Sequence, residues 1–303
     1  MISGLLKSVL SSVNLLRLNK AGNKFIFVFH DIDKDGKRHF SPEHYSTKLD
    51  RFAEQIDFLK RNFRIVPLRS LLEDDLVSGA NYASLTFDDG FYSVKEYAHP
   101  LLSGMGIPYT CFINKAACSL NRLWISDIVL GTFDRYALAA GLGHFCGQSV
   151  EQLKHSTDFN NQLSDYYGTL PFEDYQVYLN EADIRSMIAS GVAFQSHSSF
   201  HAVLSMCKPE VLREDIAGNE AMLRSLNGIP SDMFALPFGK KEHYTDTVSD
   251  ALRKEDYRFM FTTNPVGFSG KPDFAVPRIG LLNQSAAEIR FLINRTFLKK
   301  IDL

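Results

Sequence analysis

The chain has 303 residues, 45% hydrophobic and 22% charged, enough to bury a substantial core in one large domain or two smaller ones. A net charge of −2, with acids and bases interspersed, argues against nucleic acid or an anionic membrane as the main partner. The four cysteines (Cys111, Cys118, Cys146 and Cys207) show no Cys-x-x-Cys spacing, so neither a zinc knuckle nor a disulfide framework is expected, and a reducing compartment is the default.

Residues 1–23 carry scattered leucines and valines with Lys7 and Arg17, but Asn14 and several serines interrupt the apolar stretch. With no small-residue cleavage site, the segment does not read as a secretory signal. It predicts an amphipathic arm that packs on the protein or a partner, and hence a cytoplasmic location. Peripheral membrane association is the sharper alternative. No run approaches the ~20 apolar residues of a spanning helix, so no transmembrane segment is expected.

From residue 24 onward, short apolar runs alternate with helical patterns. Strands are expected at 24–30, 63–67, 82–87, 108–113, 192–196, 233–237, 258–262 and 274–280. Helices are expected at 42–62, 94–105, 181–190, 209–227 and 245–255, with a closing helix over 286–303. Pro42 suits a first helical turn, with Ser41 as its N-cap. The alternation implies an α/β protein built on a parallel sheet or barrel. One long aromatic-rich segment, 115–180, lacks a strand pattern and reads as a helical excursion over one face; it holds the only tryptophan, Trp124. Asp31-Ile32-Asp33-Lys34-Asp35-Gly36 imitates an EF-hand loop. The later positions that should be apolar and bidentate acidic are Arg38 and Pro42, so calcium is rejected and a polar loop near the site is expected.

Chemistry concentrates at strand ends. Thr86-Phe87-Asp88-Asp89-Gly90 closes a buried run with two adjacent carboxylates, which repel unless a cation or proton intervenes. Taken alone, a solvated turn explains it equally well. Ser196-His197-Ser198-Ser199-Phe200-His201 adds two imidazoles four positions apart, within reach of one metal. With one of the acids they make a two-His, one-carboxylate set that leaves metal positions open for water and substrate. His30, Pro237-Phe238-Gly239 and Arg278 fall at the ends of other strands. Parallel barrels build their active sites at those carboxyl ends.

Thr86-Phe87-Asp88-Asp89-Gly90, Ser196-His197-Ser198-Ser199-Phe200-His201 and Phe234-Ala235-Leu236-Pro237-Phe238-Gly239 resemble, in matching order, the signature blocks of the polysaccharide deacetylases. These are the NodB-homology proteins of carbohydrate esterase family 4, and the resemblance spans 24–285. It implies a distorted, incomplete (β/α) TIM-like barrel with 115–180 as a helical insertion. It also implies a divalent metal, zinc first, and removal of N-acetyl groups from an amino sugar or polysaccharide in cell-surface polysaccharide metabolism. Carried over by position, Asp88 is the general base and Asp89, His197 and His201 are the metal ligands. Pro237 and Phe238 form the groove wall, with the Phe238 N–H on the oxyanion.

Two departures from the family pattern stand out. Ala235 occupies a place where many members carry arginine, and Val276-Pro277-Arg278-Ile279-Gly280 replaces a late Leu-x-His that supplies the acid. A branch acting on exopolysaccharide takes that histidine from an early strand end, which Phe29-His30 resembles. His30 is therefore the expected general acid, against a purely structural strand cap. Arg278 is the expected substitute for the missing arginine, orienting Asp88. Tyr92, Trp124, Phe200, Phe238 and Tyr244 are candidates to stack on sugar rings, against ordinary packing. The expected partner is an N-acetylated sugar or glycan. Hydrolysis of a non-sugar amide or formyl group, and a non-catalytic carbohydrate-binding protein, remain the alternatives.

Overall fold

The strands of the central sheet are short, apolar and paired parallel, the pattern of a sheet covered on both faces. The computed structural model describes residues 22–34, 45–77, 79–170 and 176–298. The expected arm up to residue 21, the Ser41–Pro42 cap, Arg38 of the rejected calcium loop and the last five residues of the closing helix lie outside the described residues.

In chain order the elements are β1 (Lys24–Phe29), β2 (Asp31–Asp33), β3 (Ser46–Lys48), α1 (Leu49–Asn62), β4 (Arg64–Ile65), α2 (Leu68–Glu73) and β5 (Tyr82–Phe87). A π-helical turn, Val94–Ala98, runs into α3 (His99–Gly104), and β6 (Tyr109–Ile113) follows. The insertion contributes α4 (Lys115–Leu120), α5 (Trp124–Val129), α6 (Phe133–Ala139), α7 (Val150–Lys154) and α8 (Thr157–Gly168). The chain then continues through α9 (Glu181–Ala189), β7 (Ala193–Ser196), α10 (Pro209–Asn227), β8 (Met233–Ala235), α11 (Asp246–Lys254), β9 (Phe259–Thr262), β10 (Ala275–Pro277), β11 (Ile279–Gly280) and α12 (Ala286–Leu298).

The sheet order is β10-β9-β8-β7-β6-β5-β1-β11, with β4 beside the start of β5. β10 pairs with β9 and β11 pairs with β1, and only Arg278 separates them in sequence. One short segment thus switches neighbours and nearly closes the ring. The result is a distorted (β/α) barrel.

Period-2 alternation sorts the side chains into two cores. Phe25, Phe27 and Phe29 of β1 point outward among Phe63, Phe52 and Phe87 beneath the helices. Ile26, Tyr82, Phe112, Met233, Ala235, Phe261 and Val276 form a separate interior cluster, to which α2 adds Leu68, Leu71 and Leu72.

The largest departures from the sequence reading are three. The helix expected from residue 42 starts at Leu49, because Ser46–Lys48 pairs with β2 as strand β3. Buried Asp31 draws that strand in by accepting hydrogen bonds from Ser46 Oγ (2.7 Å) and Ser93 Oγ (2.6 Å). The last strand, expected in one piece, breaks at Arg278 where it changes partner. α2 was not expected at all; six residues are too few for a 3.6-residue period to register.

Candidate active site

Alternation along β5 aims Thr86 and then Asp88 inward, and the Asp88 N–H still joins the ladder, donating to the Phe29 carbonyl at 3.0 Å. Two residues after inward-facing Val276, Arg278 enters the same interior. Its Nη1 and Nη2 donate to the two Asp88 carboxylate oxygens, each at 2.7 Å, and Nη1 also reaches Thr86 Oγ1 at 3.3 Å. Both partners are buried, Arg278 completely. Burial alone would raise the Asp88 carboxyl, but Arg278 first, then His197 and His30, outweigh it and hold it below the ordinary carboxylate range. Asp88 is therefore ionised at neutral pH and fixed by a bidentate fork. Arg278 touches the carboxylate, as expected for an orienting residue, but it lies beneath the site and does not line the groove.

Asp89 turns the other way because its backbone is left-handed, with φ 70°. Gly90 continues the turn at φ 75°, and a Cβ there would approach Ile113 Cγ2 at 3.0 Å. His197 Nε2 and His201 Nε2 converge on Asp89 Oδ1 at 3.3 and 3.4 Å. Two donor atoms each ~2.0–2.1 Å from one tetrahedral ion stand ~3.3–3.4 Å apart, so these spacings suit a shared divalent cation. The His197 Nδ1–H donates to the Ala235 carbonyl at 2.8 Å, which leaves Nε2 with its lone pair toward Asp89. Among the described residues Asp89 Oδ1 is buried without a hydrogen bond, as an oxygen awaiting a cation would be. Burial pushes His201 down to about 4, only partly offset by Asp89, so its imidazole is neutral and able to ligate. Burial would also lower His197, but Asp88 and Asp89 together hold it above the ordinary range, so a proton on Nε2 and a divalent cation compete for the same place beside Asp89. The donor set fits a divalent metal.

This loop is strained and braced. Asp89, Ser198, His201 and Phe238 are four of the six non-glycine residues with positive φ among those described, and all four lie at or beside the site. Asp215 of α10 accepts the Ser199 N–H (3.0 Å) and the Phe200 N–H (3.1 Å), holding the histidine loop from below. Burial pushes the Asp215 carboxyl up to about 6, those two N–H groups offsetting only part of the effect. Asn114 Nδ2 donates to the His197 carbonyl, and Asn219 Nδ2 to Ser196 Oγ at 2.8 Å. Trp124 Nε1 donates to the His201 carbonyl at 3.3 Å. Gly239, at φ 69°, lies so close to Thr263 that a Cβ would meet its backbone nitrogen at 2.8 Å. None of these braces was singled out in the sequence for this role.

The cavity above the cluster holds about 190 Å³. His30, Asp88, Asp89, His197, His201 and Phe238 line it; Pro237 and Arg278 do not. Pro237 is buried behind its neighbours Leu236 and Phe238, which do face the cavity. Of the five aromatic residues considered for sugar stacking, Phe238 alone lines this cavity. Trp124 is fully buried, and Phe200 stacks on Tyr167. Tyr45, Phe91 and Tyr178 line it instead. Tyr178 arrives at the end of the insertion, so no local pattern marks it.

A nearly closed parallel barrel, with an ionised carboxylate and an Asp-His-His cluster at the carboxyl ends of its strands, has the site placement of an α/β-barrel enzyme. The family profile described as polysaccharide deacetylase matches residues 77–260, and the chain belongs to that family. The fold is similar to that of the Streptococcus pyogenes deacetylase PplD in complex with acetate, with TM-score 0.60 and 16% identity over 93% of this chain and 100% of that one. It is also similar to IcaB from Ammonifex degensii, with TM-score 0.58 and 17% identity over 89% and 97% of the two chains. A de-N-acetylase from Aggregatibacter actinomycetemcomitans gives TM-score 0.61 and 12% identity over 89% and 99%. Among curated protein sequences none matches. At these identities the structural likeness establishes the fold.

Proposed function

We propose that this protein is a divalent-metal-dependent hydrolase that removes N-acetyl groups from an amino sugar or glycan of cell-surface polysaccharide metabolism. The carrying observation is the Asp89–His197–His201 cluster beside an Asp88 carboxylate held ionised by Arg278. Family membership supports the reaction class, as do the deacetylase and de-N-acetylase named among the structural relatives.

A divalent cation held by Asp89, His197 and His201 would polarise the amide carbonyl and make water acidic enough to act as nucleophile near neutral pH. Asp88 accepts the proton of the attacking water, and its fixed orientation spares the base any search for alignment. The Phe238 N–H donates to the oxyanion oxygen, a contact worth about 3–4 kcal/mol. His30, at the end of β1 and half-buried in the cavity wall, gives a proton to the departing sugar amine. An acid pair of this kind beside a metal cluster serves hydrolysis, and a pure binding protein has no use for the base.

Acetate release from N-acetylglucosamine oligomers, measured on protein loaded with zinc, is the test. Release is expected, with loss on chelation and recovery when the metal returns. His30→Gln is expected to slow it by roughly 10²–10⁴-fold. Cleavage of non-sugar amides or formamides without acetate release from any N-acetylated sugar would overturn the sugar assignment.

A further inference from the structure

We propose that the insertion gives this site an apolar acyl pocket that accepts linear N-acyl groups of three and four carbons as well as acetyl, with Leu123 forming part of its wall. The proposal rests on the deacetylase reading above and adds its acyl specificity.

The insertion is a fixed wall of the site. Phe91, just after Gly90, forms an antiparallel bridge with Tyr178. The Tyr92 N–H donates to the Val177 carbonyl and the Leu179 N–H to the Gly90 carbonyl, both at 2.8 Å. Asn121 Oδ1 accepts the N–H groups of Val177 and Tyr178 at 2.8 and 2.9 Å. At the other end of the wall, Trp124 clamps the His201 carbonyl.

The surface so placed is apolar. Leu123, Phe91, Leu236 and the Tyr178 ring are its buried part, and Ile125 and Val129 its half-buried part. Its two hydroxyls, Ser126 Oγ and Tyr178 OH, hydrogen-bond to each other. A sugar ring pressed against this wall would bury hydroxyls with few partners, which is costly. A saturated acyl chain has none to lose and gains from each methylene it buries.

Size points the same way. The cavity of about 190 Å³ seats the cation, the attacking water and the acyl group together, and it is several times the ~30 Å³ that one water takes in the liquid. The half-buried residues His30, Tyr45 and Thr263 are left to meet the sugar. The chemistry is unchanged by chain length. Water supplies OH to the acyl carbon, the C–N bond breaks, the acyl group leaves as its carboxylate and the nitrogen leaves as the protonated amine.

The test compares kcat/KM for N-formyl-, N-acetyl-, N-propionyl- and N-butyryl-glucosamine on the zinc-loaded full chain. Propionyl is expected to match or exceed acetyl, with butyryl within tenfold. Leu123→Phe should lower the butyryl-to-acetyl ratio tenfold or more, and Leu123→Ala should raise it, since one methylene in an apolar pocket is worth roughly 10–200-fold. Calorimetric binding of acetate, propionate and butyrate gives a second readout, with butyrate expected to bind tightest. Acetyl cleavage with propionyl and butyryl at one hundredth of its rate or less would overturn the proposal. So would a folded Leu123→Phe protein that slows every acyl group equally. If no acyl group were released, acetyl included, the deacetylase reading would fall. Butyrate binding no tighter than acetate would overturn the pocket on its own.

Discussion

Asp88→Asn is expected to lower kcat for deacetylation by roughly 10²–10⁴-fold or more, the range a positioned general base supplies. The amide cannot accept a proton at neutral pH, so the attacking water keeps its own. The substitution is close in shape, but it turns one of the two Arg278 contacts into an N–H facing an N–H. Some loss of stability therefore accompanies the loss of turnover. Rate and folded fraction must be read together, by acetate release and by circular dichroism on the same sample. A folded Asp88→Asn protein working near the wild-type rate would show that the proton goes elsewhere.

Arg278→Met is the second large effect. It strands a buried carboxylate without its counter-charge, and breaking a buried pair in this way costs about 3–5 kcal/mol. Arg278→Lys keeps a positive charge but offers a single ammonium where a planar fork met both oxygens, so it should recover only part of that loss. The pH dependence carries a sign. The folded Asp88 carboxyl titrates below the unfolded reference near ~3.9, so the unfolded chain binds more protons in between. The stability contributed by the pair is complete above that reference and is lost as pH falls through the folded value. In Arg278→Met, burial is opposed only by His197 and His30 and the carboxyl rises, so base function and its acid limb fail at a higher pH than in the wild type. Urea unfolding at several pH values and the acid limb of the pH–rate profile check both statements. A Met variant as stable as wild type, with an unmoved acid limb, would contradict them.

Much of the site was legible in the sequence because strand ends write their chemistry locally. Two acids closing an apolar run, and two histidines four apart after another, need no knowledge of the fold to be noticed. The barrel then brings Asp89, His197 and His201 together. Arg278 was expected to orient Asp88 from its place near the end of the last strand, but the contact itself depends on that strand changing neighbours after Pro277, which no local pattern encodes. Trp124 was open to either sugar stacking or ordinary packing from its residue type. The fold decides for packing, which buries the ring completely and leaves its N–H to hold the His201 carbonyl.

Asp215 and Asn219 left a trace that was available. They interrupt the buried stripe of α10 between Leu212, Ile216 and Leu223, and a polar residue on an apolar stripe calls for a buried partner. The identity of that partner, a loop 15–16 residues upstream for Asp215, is a tertiary fact. Asp31 is similar. It imitated the opening of a calcium loop, but its carboxylate is spent on the hydroxyls of Ser46 and Ser93, which tie β2 to β3 and to the turn after Asp89.

The division of labour between the adjacent acids is tested most directly by titrating zinc into metal-free Asp88→Asn and Asp89→Asn proteins by calorimetry. Asp88→Asn is predicted to take up one equivalent with affinity close to wild type. Asp89→Asn is predicted to lose more than the roughly 10–100-fold that follows removal of a supporting partner. Equal losses in the two variants, or tight binding retained only by Asp89→Asn, would contradict the assignment of Asp89 to the metal and Asp88 to the proton.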